Sequence, residues 1–145
     1  MSEKRRKYSQ LFRYGHIESV GTDVVYYIED SQQLIIGLPT VAQEIITAAS
    51  RYLKASSSLT LNEHFLISIA LLGVKGAEML SSPHPIRAIK KKPIDRDNVV
   101  LPEIVIEGDD CDVPRSLRPA IDALYNACGH KGSPNYDEDG NWNHQ

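Results

Sequence analysis

Metal, nucleophile and phosphate chemistry each need particular side chains at particular spacings, and this chain carries fragments of each. Cys111, Cys128 and His130 form a C-x16-C-x-H pattern. A structural zinc site takes four ligands, usually as two close pairs. Here there is one close pair at most, and Cys128 falls on the apolar face of a helical pattern. It reads as a small buried hydrophobe, with Cys111 on the solvent side. The run Asp137-Glu138-Asp139-Gly140-Asn141 resembles part of a calcium loop but lacks the full D-x-[DN]-x-[DN]-G-x5-E order. It reads as a solvated acidic turn. No metal is expected.

Nucleophilic catalysis needs Ser, Cys or Thr with a histidine base and an orienting acid. There is no G-x-S-x-G, and the five histidines (His16, His64, His84, His130, His144) are scattered singly. The nearest approach to a catalytic group is a hydrolase-like set, His84 with Asp95 and Asp97, around Pro93-Ile94-Asp95-Arg96-Asp97. The same carboxylates and Arg96 also suit an ion-paired turn ahead of a strand. Gly73-x-x-Gly76 is too short to cradle a phosphate. No cofactor is called for, and the enzyme reading has no specific motif behind it.

Nucleic acid is a third possibility. Arg87, Lys90, Lys91, Lys92 and Arg96 form a basic cluster able to contact backbone phosphates. Stacking on bases requires exposed aromatics. Tyr14, Tyr26 and Tyr27 are candidates, although strand alternation puts only one of Tyr26 and Tyr27 on the solvent face. A solvated loop competes with this reading.

The elements that must position these groups follow from periodicity. Residues 15–20 and 23–28 are rich in β-branched and aromatic residues around Gly21-Thr22, which predicts strand–turn–strand. Residues 33–37 add a short third strand. Residues 38–54 carry Val41, Ile45, Ala49 and Tyr52 at helical spacing, with Thr40 and Gln43 as a capping box and Pro39 just outside. Residues 55–58 end that helix in a loop. Residues 64–72 form a continuous apolar run, predicted as a strand buried on both faces. Residues 77–80 continue it past a bend at Gly73 and Gly76, and residues 81–85 form a loop. Residues 99–106 read as an edge strand, or one starting after Pro102, since proline cannot donate a ladder hydrogen bond. Residues 116–128 predict a second amphipathic helix, with Pro119 in its first turn and Gly129 as its left-handed terminator.

This order predicts an α+β fold: one domain with a mostly antiparallel sheet and two amphipathic helices. A basic leader (1–7) precedes the domain (8–129), and a polar tail (130–145) follows, anchored by the sole tryptophan, Trp142. Composition agrees. With 41% hydrophobic and 24% charged residues, the 145-residue chain is neither collagenous nor wholly disordered. No signal peptide is expected from the basic N-terminus, which no apolar segment follows; there is no apolar run of bilayer length, and two cysteines are too few for a disulfide scaffold. The expectation is a cytoplasmic protein with reduced thiols that makes no membrane contact. The net charge of −3 conceals a polarity: residues 1–100 carry +3 and residues 101–145 carry −6. Such polarity suits docking or self-association.

Four segments carry a family resemblance. They are residues 8–20 (YSQLFRYGHIESV), 65–79 (FLISIALLGVKGAEM), 93–107 (PIDRDNVVLPEIVIE) and 117–129 (LRPAIDALYNACG), the last followed by 133–142 (SPNYDEDGNW). In that order they resemble the C-terminal domain of bacterial proteins whose N-terminal part is a Schlafen-type, AlbA-like DNA-binding domain. Those proteins are commonly described as ATP-binding proteins or transcriptional regulators. Tyr125 stands where the resemblance leads one to expect Trp. The resemblance implies no catalytic residue. It leaves no room for the AlbA-like domain, so the chain is expected to be a domain of a longer protein or a free-standing relative. The function implied is a non-catalytic accessory or interaction domain beside a nucleic-acid-acting module, in transcription regulation or defence, with a protein partner or self-association. Direct nucleic-acid binding through the basic loop and a small hydrolase-like activity are the alternatives.

Overall fold

A computed structural model describes residues 7–29, 32–59, 64–80, 93–108 and 111–143. The architecture is α+β, with two helices and mostly antiparallel strand pairs. No helix among the described residues is long and apolar enough to cross a membrane.

The chain opens with a hairpin of β1 (Lys7–Leu11) and β2 (Ile17–Gly21), paired antiparallel from Lys7↔Gly21 to Leu11↔Ile17. Its loop is a tight turn. The Gly15 N–H donates to the Phe12 carbonyl, and Gly15 takes φ 84°, a left-handed conformation that glycine reaches without strain. This corrects the expected pairing of residues 15–20 with 23–28. Leu11 and neighbouring residues form a strand that periodicity did not mark, and Lys7, assigned above to the leader, opens it. β3 (Val25–Ile28) pairs instead with β4 (Gln33–Gly37), antiparallel. β7 (Glu78–Leu80) joins the other side of β4 in parallel, rather than prolonging the preceding apolar strand.

Helix α1 (Leu38–Ser58) runs one turn further than its apolar pattern predicts. Residues 55–58 remain helical, and the Ser58 hydroxyl donates to the Ala55 carbonyl at 2.7 Å. The expected capping box is not formed. Gly37 is the N-cap, no side chain caps the helix, and Pro39 lies inside the first turn. Gln43 is engaged elsewhere, donating to Thr47 Oγ1 and accepting from Trp142 Nε1.

Helix α2 (Val113–Ala127) starts three residues earlier than predicted, because Asp112 caps it by accepting from the Arg115 N–H at 3.2 Å. Pro114 therefore occupies the first turn. Pro119 falls in the helix interior, where its lack of an N–H removes the bond to the Arg115 carbonyl. Gly129 follows with φ 79°, and the His130 N–H closes on the Tyr125 carbonyl at 3.0 Å in a Schellman arrangement.

Between the helices runs a long two-stranded ribbon. β5 (His64–Ile67) pairs with β9 (Ile104–Glu107), and β6 (Ala70–Leu72) pairs with β8 (Asn98–Val100). The register changes between the two pairs. Residues 68–69 face residues 101–103, so one strand carries an extra residue, which is a β-bulge. Pro102 sits in the bulge. The Leu101 N–H donates to the Ile69 carbonyl at 2.9 Å, so alternation turns the donorless Pro102 nitrogen to the outer edge. Of the two readings of residues 99–106, a single edge strand is replaced by two strands split at the proline, and a strand starting after Pro102 is found as β9.

The ribbon's inner face carries Ile104, Ile106, Val99 and Leu101, all buried. Leu117, Ile121, Leu124 and Tyr125 of α2 and Val41, Ala42, Ile46 and Ala49 of α1 complete the core. Removing this apolar area from water supplies the main drive to fold. Residues 64–72 are not buried on both faces. Phe65, Ile67, Ile69 and Leu71 turn partly inward, while Leu66 and Leu72 point to solvent.

Candidate functional site

The described residues enclose a cleft of about 650 Å³. One wall is residues 65–72 of β5 and β6, and the opposite wall is Ile17 to Gly21 of β2 and Thr22 to Val25 leading into β3. The floor comes from α1, through Val41, Ile45, Ala49 and Leu53, with Ile36 from β4. These residues lie on one helix face because they recur every three to four positions, the spacing that aligns side chains on an α-helix. A volume of this size with an apolar floor is typical of ligand-binding clefts.

Polar groups gather at one side of the cleft. Lys7 Nζ lies 2.7 Å from Glu44 Oε2 and 3.5 Å from Asp23 Oδ2. These contacts, the Glu44 hydrogen bond first, hold the ammonium above the usual lysine range. Asp23 Oδ1 is buried and meets no hydrogen-bond donor among the described residues. Across the helix, the Tyr52 hydroxyl bonds Ser19 at 2.8 Å and also meets Ser9, ties that pull its phenol below the usual range and fasten the hairpin to α1. Tyr8 donates to Glu18 on the facing strand, which raises the Tyr8 phenol. Among the described residues the rim therefore holds two carboxylates to one ammonium.

The outer face of the ribbon is the second unusual surface. Leu66, Leu72, Val100 and Val105 are 61–74% exposed. Leu66 lies opposite Val105 and Ala70 opposite Val100, so register places two apolar pairs on this face, one on each side of the exposed Ser68–Glu103 hydrogen bond. The hairpin and β3 form a third surface. Tyr8, Phe12, Tyr14, Tyr26 and Tyr27 are all exposed, Tyr14 by 86%. Both Tyr26 and Tyr27 face water, against the expectation that only one would. β3 is the outer strand of its sheet, and among the described residues nothing covers its second face.

The sequence-predicted site residues divide. Arg87, Lys90, Lys91, Lys92 and His84 lie outside the described residues. Arg96 is exposed, and its Nε sits 3.4 Å from the Oδ1 of its neighbour Asp95. The loop bearing them is fixed by its backbone and by Ile94. The Ile94 N–H donates to Ala77, Gly76 donates to Ile94, Val74 donates to Asp97, and the Ile94 side chain is buried. Among the described residues, no three His, Cys, Asp or Glu side chains group as a metal site.

Cys128 donates its thiol to the Leu124 carbonyl at 3.3 Å, and burial pushes it up to about 11, which keeps it protonated and unreactive. Cys111 is half-buried and lines a smaller hollow of about 350 Å³ with Lys54 and Ser57. Asp137 accepts from the Asn141 N–H at 2.7 Å and from Asn141 Nδ2 at 3.0 Å, which holds its carboxyl below the usual range. That is a self-contained turn whose carboxylate is already occupied.

Sequence reasoning missed the cleft because its walls come from segments far apart in the chain. The signal that could have found it is the double apolar alternation of residues 65–72, with large residues on both faces. No protein-family model, curated protein or solved structure matches the chain.

Proposed function

We propose that the chain is a non-catalytic interaction domain working beside a nucleic-acid-acting module of the Schlafen-type AlbA-like kind, in transcription regulation or defence. The observation that carries this reading is the outward exposure of Leu66, Leu72, Val100 and Val105. An exposed apolar surface with a polar pair in its midst suits a docking site, since large apolar side chains clustered in water mark interaction surfaces. The chain's charge polarity and its resemblance to a domain found next to AlbA-like domains support the same reading.

Calorimetric titration with a purified Schlafen-type AlbA-like domain tests it. Saturable binding with a negative heat-capacity change is expected. Leu66→Lys with Val100→Lys abolishes that binding while circular dichroism stays unchanged. Absence of binding by the wild-type chain overturns the proposal.

A second reading is direct binding of single-stranded nucleic acid. The exposed aromatics Tyr8, Phe12, Tyr14, Tyr26 and Tyr27 beside Lys7 and Arg13 favour it, since aromatic faces stack bases at about 1–3 kcal/mol each. The basic loop (Arg87, Lys90, Lys91, Lys92, Arg96) supplies phosphate contacts in this reading. A gel shift that weakens with salt, with Tyr14→Ala, and with Lys90, Lys91 and Lys92→Ala supports it. A shift indifferent to all three removes it.

A further inference from the structure

We infer that the cleft takes an extended peptide, added as a strand to the open edge of β5–β6, with a basic side chain of the peptide directed at Asp23 and Glu44. The inference rests on the interaction-domain reading and names the partner's chemistry. Eight consecutive residues, 65–72, line one wall. Successive side chains of a strand point to opposite faces, so an unbroken run lines a cleft only when the strand offers its edge. That edge is open among the described residues, where β5 pairs with β9 and β6 with β8 alone.

Its polarity can be assigned. The Ile69 carbonyl accepts from Leu101, on the β8–β9 side. Alternation then turns the backbone groups of Ser68 and Ala70 into the cleft, where they are free to pair with an incoming strand. Such edges recruit a further strand through main-chain hydrogen bonds, with alternate side chains supplying specificity. The sequence of residues 65–72 fits this role. It is apolar at nearly every position, as in a strand flanked on both edges and covered on both faces, yet Leu66 and Leu72 stand in water. An added strand lies beside both.

Charge selects the occupant. Among the described residues, Asp23 and Glu44 face a single ammonium, Lys7, which leaves this side of the cleft net negative. A lysine or arginine of the incoming peptide adds a second cation beside the two carboxylates and balances the rim.

The probe is a fluorescein-labelled octapeptide amide, Lys-Val-Thr-Val-Thr-Val-Thr-Val, followed by fluorescence anisotropy. Saturable binding is expected. Methylating every second backbone nitrogen on the pairing edge abolishes it, a control that leaves the protein unaltered. Ala70→Pro, which removes a cleft-facing N–H but no β8 bond, weakens binding by about tenfold. Replacing the peptide's lysine with glutamate weakens it about threefold, and Asp23→Asn erases that preference.

Three results overturn the inference: no binding by the wild-type chain, binding indifferent to backbone methylation, or a concentration-dependent dimer in light scattering that Ala70→Pro dissolves. The last would assign the edge to a second copy. Peptide failure with intact AlbA-like binding refutes strand addition while leaving the interaction domain standing. Loss of AlbA-like binding with peptide binding retained does the reverse.

Discussion

The two ends of this molecule are built on opposite plans. α2 and residues 130–143 tie several of their polar groups to one another and bury most of their large side chains. Tyr136 donates to the Pro114 carbonyl at 2.5 Å, Trp142 donates to Gln43 on α1, and the two rings meet edge to face at 5.0 Å. Arg118 lies over the Tyr136 ring, and Asp122 accepts from Arg118 and from the Ser133 N–H. The N-terminal third does the reverse. Its hairpin and β3 leave aromatic rings in water and touch α1 through surface contacts at Lys7, Ser9 and Ser19. Stability is concentrated where packing and internal hydrogen bonding coincide, and the less committed region leaves aromatic surface exposed.

This contrast can be broken by mutation. Leu124→Ala removes a fully buried side chain between α2 and the ribbon and is expected to cost about 2–5 kcal/mol in urea unfolding. Tyr14→Ala, at the opposite extreme of exposure, is expected within about 0.5 kcal/mol of wild type. Comparable costs would refute the division. Gly140→Ala comes next. Gly140 has φ 84°, and a Cβ there meets Arg118 Nη1 at 3.2 Å, so a loss of about 1–2 kcal/mol is expected, again by urea titration.

The helices give a finer test. Asp112→Ala deletes the cap of α2 and should cost about 1 kcal/mol. Thr40→Ala, at the first turn of the uncapped α1, should lie near zero in the same assay.

Two pH effects are the smallest. The Asp137 carboxyl is depressed in the fold by its Asn141 bonds, so it contributes stability above its unfolded pKa near 4. That contribution is lost as pH falls through the folded value, and Asp137→Asn should flatten the acid limb of a Tm-against-pH curve. The Cys128 thiol is raised to about 11, so stability holds below its unfolded pKa and declines as pH climbs from about 9 toward 11. Cys128→Ala should soften that decline.

The same contrast explains how much was legible in advance. α2 was readable because Leu117, Ile121 and Leu124 repeat at helical spacing and Gly129 stops it; only its start was misplaced, since Asp112 capped three residues early. The fold class was readable for similar reasons. The hairpin partner of β2 was not, because residues 7–11 are exposed at every position and carry no alternation to read. The cleft depends on the placement of three segments against α1, and the apolar run of residues 65–72 signals one of its walls but not the others. Of the basic cluster, Arg96 alone among the described residues has a position, and its neighbour Asp95 neutralises it there.

The proline bulge in the ribbon has a consequence for assembly. A two-stranded ribbon has two edges, and a chain presenting both can polymerise, each copy templating the next. Here the β8–β9 edge is interrupted by Pro102, which offers no donor, and by a bulge that shifts the register by one residue. The strand addition inferred above would therefore be one-sided. An edge open to a strand beside one that refuses it would end at a single addition, which separates recognition from fibril formation.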